Sequence, residues 1–81
     1  MVVHGSPVAP YLQVADLLRR EIQTGKRPPG SRLPSIIDLT QTYGIARGTA
    51  HKALHVLRDE GLIEVGQGLG YFVKRQQPPP G

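Results

Sequence analysis

The stretch "GIARGTAHKAL", Gly44 to Leu54, decides the reading of this chain. Small residues (Gly44, Ala46, Gly48, Ala50) sit among Arg47, His51 and Lys52. A helix built only to fill a core needs larger side chains. A helix built only to face water mixes its charges and carries more Glu. A helix start with little bulk and much positive charge points to something negative lying close against it.

Ala50, Ala53, Leu54 and Leu57 recur at helical steps and make an apolar stripe. The pattern predicts a helix from about Arg47 to Glu60, with Gly61 as its stop and Leu62 packing back. Upstream, Gly44 ends the preceding element by taking a left-handed backbone conformation, and Ile45 tucks inward. Before that lies "SIIDLTQTY". Ser35 is placed as an N-cap with Asp38 three residues on, a capping-box spacing with Asp in place of Glu or Gln. A short helix over roughly Ile36 to Thr42 follows, with Leu39 and Tyr43 one turn apart and facing inward. Two helices joined by a short Gly-containing turn form a helix-turn-helix.

Farther out, Tyr11, Val14, Ala15, Leu18 and Ile22 define a first helix that starts near Val8 or Pro10. Gly25 ends it, and Lys26 and Arg27 suit the negative end of its dipole. The connector "RPPGSRLPS" cannot continue a helix, and Leu33 anchors it to the core. Beyond Gly61 the period changes. "LIEV" and "YFVKR" read as two short strands joined by the Gly-rich tip "GQGLG". The fold class is therefore mainly α with a small β-hairpin, a winged helix-turn-helix of three helices and a two-stranded wing. Residues 1–9 read as a flexible arm, 10–75 as the domain, and 76–81 as a Pro-rich tail or the start of a linker.

Composition bounds the function. A chain of 81 residues is one small domain with a modest core, too small for a deep cofactor pocket. Ten Lys and Arg against six Asp and Glu give a net charge of +4, which favours an anionic partner. The absence of Cys excludes disulfides and thiolate metal sites and suits a reducing cytoplasm. No apolar run has the length of a membrane span, and the first ten residues do not have the form of a signal peptide.

On a helical wheel, Gly48, His51, Lys52 and His55 lie opposite the Ala50/Ala53/Leu57 stripe, with Arg47 and Thr49 at the first turn. A recognition helix enters the major groove by this end. Arg47 has the reach for a guanine edge or a phosphate, and His51 and Lys52 for either. Thr49 and the open N–H groups of the first turn suit phosphate oxygens. Gly68 and Gly70 at the hairpin tip allow the wing to approach a backbone or minor groove, with Lys74 and Arg75 at its base.

The stretches "YLQVADLLRREIQTGKRPPGSRLPS", "DLTQTYGIARGTAHKALHVLRDEGLIE" and "GQGLGYFV" together resemble the DNA-binding domain of the GntR family of bacterial transcription regulators. The resemblance covers about Tyr11 to Val73. It implies sequence-specific binding of a double-stranded DNA operator and control of transcription, by repression through occlusion. It implicates Arg47, Thr49, His51 and Lys52 as readers. It places Ile37 where the family usually carries a phosphate-holding Arg, Ile36 where Glu is usual, and Ala46 where Ser or Thr opens the third helix. Gly48 stands in place of Thr or Ser, and His51 in place of a second Arg. Ser35 retains a backbone N–H and a hydroxyl for phosphate. The Ile36-Ile37 pair suits thymine methyls, a protein partner or a gap in the core.

Family regulators typically carry a larger metabolite-binding and dimerising domain. This chain stops just past the wing, as either an excised domain or a natural short protein; the initial Met and the lack of a tag favour the second, and no small-molecule effector site and no cofactor are expected in it. A two-fold operator would need a homodimer, built through the first helix or the Pro-rich tail.

Other chemistries fit less well. His51 and His55 have the spacing of a helical metal pair, but Lys52 stands where a general base would be and no third ligand is evident. "GQGLGY" lacks the third glycine of a dinucleotide fingerprint and lies between strands. No catalytic triad is arguable, so an enzyme is not expected. The rival is a winged helix used for protein–protein contact with only non-specific DNA affinity. A membrane-surface role lacks a helix with both a basic and a Trp- or Phe-rich face.

Overall fold

The computed structural model describes residues 2–66, 68 and 70–75. The elements are α1 (Pro10–Gln23), α2 (Ile36–Tyr43), α3 (Arg47–Asp59), β1 (Ile63–Gly66) and β2 (Gly70–Val73). The mainly helical architecture with one antiparallel hairpin is that of a winged helix. The tail at 76–81 and the tip residues Gln67 and Leu69 lie outside the described residues.

Three helix boundaries have a local cause. Pro10 opens α1, where its missing N–H costs nothing. Ser35 caps α2 through a reciprocal box: its hydroxyl oxygen accepts from Asp38 N at 3.1 Å, and Asp38 Oδ2 accepts from Ser35 N at 3.3 Å. Gly44 ends α2 at φ 63° and ψ 42°, a conformation that a β-carbon disfavours. The turn then runs directly into α3 through Ile45, which is buried.

α1 packs most extensively on α3. Val14, Ala15 and Leu18 of α1 meet a core containing Ala50, Ala53, Leu54 and Leu57 of α3, all essentially inaccessible. Leu39, Leu33, Ile63 and Val73 close it from α2, the connector and the hairpin. Of the small residues that opened the sequence reading, Ala50 therefore serves helix packing and Gly44 the turn. Gly48 alone among them is an exposed residue within the helix.

The hairpin pairs Ile63 with Val73, Glu64 with Phe72, Val65 with Tyr71 and Gly66 with Gly70. The connector adds a feature that its sequence does not announce. Val73 N donates to Ser31 O and Gly30 N to Val73 O, each at 2.8 Å, and Leu33 N donates to Tyr71 O at 2.9 Å. Arg32 bridges Phe72 in antiparallel fashion. β2 thus lies between β1 and the connector, which ties the wing to the start of α2.

The segment read as a flexible arm makes contacts with α1. Val2 is buried, Val3 N donates to Gln13 Oε1 at 2.7 Å, and Gln13 Nε2 donates to the carbonyls of Val3 and Val8 at 2.8 Å each.

Candidate nucleic-acid interface

The candidate surface starts at the first turn of α3. Ala46 provides no side-chain cap, and the first turn holds no acidic residue. The backbone N–H groups at this end lack helical acceptors by geometry, so they face outward with partial positive charge. Arg47, Gly48, His51, Lys52 and His55 are exposed on one face, and Thr49 is half-buried at its edge. The opposite face is the core stripe of Ala50, Ala53, Leu54 and Leu57. The His51 and His55 rings sit edge-on with centroids 6.3 Å apart. Lys52 Nζ stands 5.3 Å from the centroid of the Tyr11 ring, which links this face to α1.

The distribution of ion pairs sorts the cations. Among the described residues, Arg19 pairs with Asp16 and Glu60, Arg20 with Asp16, Lys26 and Arg27 with Glu21, and Arg58 with Asp59. Burial alone would raise the Glu21 carboxyl, but hydrogen bonds from Arg27 and Lys26 outweigh it and hold the group below its usual range. Arg32, Arg47, Lys52, Lys74 and Arg75 have no carboxylate partner among the described residues. All five are exposed to solvent.

α2 contributes differently from expectation. The backbone N–H of Ser35 is already given to Asp38, so only its hydroxyl proton remains to donate outward. Ile36 and Ile37 do not act as a pair: Ile36 packs against the core, whereas Ile37 is 52% exposed on the first turn of the helix. The helix itself holds no Lys or Arg.

On the wing, Gly68 and Gly70 take φ +68° and +91°, values that side chains rarely adopt. A β-carbon at Gly70 would stand 3.4 Å from Arg32 Nε, so that guanidinium lies against the strand start. Arg32 is the residue that sequence reading left out. It sits in a four-residue segment between prolines, too short for any periodicity to mark it.

The sequence profile described as "Bacterial regulatory proteins, gntR family" matches residues 10–73. The chain belongs to the GntR family. Its elements and their order fit that assignment, and the family is one of transcription regulators. The HTH-type transcriptional regulator SmoD of Agrobacterium fabrum is 35% identical over 75 residues, 93% of this chain and 32% of SmoD. The mannosyl-D-glycerate transport/metabolism system repressor MngR of Escherichia coli is 36% identical over 67 residues, 83% of this chain and 28% of MngR. The chain thus spans about a third of the length of the curated relatives it matches. Among solved structures, the AraR DNA-binding domain in complex with operator ORR3 superimposes with a TM-score of 0.75 at 31% identity, covering 90% of this chain and 94% of that one.

Among the described residues, no group of three or more His, Asp or Glu is placed to hold a metal ion. No helix among them is long and apolar enough to cross a membrane.

Proposed function

We propose that this chain binds duplex DNA at a specific sequence and regulates transcription, by repression through occlusion. The observation that carries the reading is the exposed α3 face, where Arg47 and Lys52 lack carboxylate partners among the described residues and no acid stands in the first turn. The operator complex formed by the similar AraR domain and the naming of MngR as a repressor support it. Arg47 reads a base edge, Thr49 and the open N–H groups hold phosphate, and His51 and Lys52 extend the contact along the groove. Gly48 keeps the helix surface low there, and Gly68 and Gly70 bring the wing close to the backbone. The role needs no catalysis and no cofactor, and it places the chain in the cytoplasm with the DNA. Two copies on a two-fold operator complete the arrangement.

The test is selection of bound sequences from a random duplex pool at near-physiological salt, with Arg47→Ala in parallel. The expected result is an enriched site whose preference relaxes at one base step in the variant, at a cost of about 1–3 kcal/mol. No enrichment, with binding that vanishes as salt is added, would leave only non-specific attraction and put a protein-docking role first.

A further inference from the structure

We propose that Arg32 is a phosphate-binding residue that joins the wing to the start of α2 on the DNA surface. The inference rests on the DNA-binding reading above and adds a contact to it. Arg32 bridges Phe72, while its neighbour Leu33 is buried in the core. Alternation along the extended segment therefore turns Arg32 to the outer face of the sheet. There it runs against Gly70. A β-carbon on Gly70 would stand 3.4 Å from its Nε and 3.6 Å from its Nη2. The guanidinium thus reaches the strand that begins at the wing tip.

On its other side Arg32 borders an open groove that it shares with Ser35, Asp38 and Arg27. Arg27 is committed to Glu21, with Nε 2.9 Å from Oε1. Arg32 is the one cation lining this groove that has no carboxylate partner among the described residues. α2 cannot supply that charge, because it holds no Lys or Arg and its first turn carries Asp38. A duplex that lies on α3 and touches the wing brings a backbone phosphate to the space between them. A planar guanidinium suits a phosphate there by two parallel hydrogen bonds. Arg32 carries no base information in this position; it fixes how the domain sits.

The experiment measures affinity of the full 81-residue chain against salt, on the duplex recovered by selection and on a scrambled duplex of equal length. Arg32→Ala is expected to lower the slope of log affinity against log salt by about one unit. It should weaken both duplexes by the same factor, so that their ratio holds. Arg32→Lys should keep the slope. Arg58→Ala removes the same charge at the far end of α3 and should leave the slope unchanged. Thermal melting accompanies each variant, and where Arg32→Ala melts early, Arg32→Gln carries the test. A slope in Arg32→Ala or Arg32→Gln equal to that of the unaltered chain would overturn the inference alone. So would an equal loss in Arg58→Ala, which would reduce the effect to net charge. An unaltered chain without salt-dependent binding would overturn the DNA reading and this inference together.

Discussion

Arg19 holds both carboxylate oxygens of Glu60, Nη2 to Oε2 at 2.6 Å and Nε to Oε1 at 2.8 Å, and so ties the middle of α1 to the end of α3. The hydrogen bond from Arg19 holds the Glu60 carboxyl below its usual range against the opposing effect of burial, and the same bond raises Arg19. A carboxyl lowered in the folded state contributes stability above its unfolded value, about 4.3. That contribution fades as pH falls through the lower folded value. Both side chains are partly exposed to water, so the pair is worth less than about 1 kcal/mol. Glu60→Gln should cost up to that amount in urea unfolding at pH 7, and the gap to the unaltered chain should close in acid. A gap that persists unchanged at pH 2 would mean that the pairing charge is not its source.

The Ser35 box sets the start of α2. Ser35→Ala removes the hydroxyl acceptor of Asp38 N and leaves only the return bond, from residue 35 N to the Asp38 carboxylate. The expected loss is about 1 kcal/mol. Ser35→Asp keeps an acceptor at the cap and should restore most of it. Denaturant midpoints of the three chains check this, and equal midpoints would show that the box adds nothing to stability.

Gly44 isolates the cost of backbone handedness. A β-carbon there meets nothing within 4 Å, so Gly44→Ala introduces no clash. The remaining penalty is that of a left-handed alanine, about 1–2 kcal/mol. The variant should unfold at lower denaturant with an unchanged dependence on its concentration. A smaller loss would mean that the turn rearranges to a right-handed path.

The helices and their caps were legible because each rests on residues close in sequence. Ser35 with Asp38, Gly44, and the stripe through Ala50, Ala53 and Leu57 are all local signals. The pairing of the connector with β2 was not legible. It joins Ser31 and Leu33 to Val73 and Tyr71, some forty residues away, through backbone groups that carry no side-chain signature. The hydrogen bonds of the N-terminal segment to α1 were hidden for a related reason: one side-chain amide, that of Gln13, makes them by donating to two carbonyls and accepting one N–H. At the site, the exposed face of α3 followed from helical period alone. The separate fates of Ile36 and Ile37 required the packing, since adjacent helical residues point about 100° apart and only the core decides which turns in.

Lys52 presents two readings that one experiment separates. Its ammonium stands 5.3 Å from the centroid of the Tyr11 ring, an attraction of about 0.5–1 kcal/mol at an exposed site. The ring occupies one side of a group with three donors, and the side chain remains exposed on the α3 face. Tyr11 therefore orients Lys52 rather than sequestering it, and on the proposed DNA-binding reading a phosphate takes the free side. Lys52→Met should lower the salt slope of DNA binding by about one unit. Tyr11→Leu leaves the charge in place, so affinity should fall modestly with the slope intact. Should Lys52→Met leave the slope where it was, the ammonium belongs to the α1–α3 contact alone, and the DNA surface ends at His51.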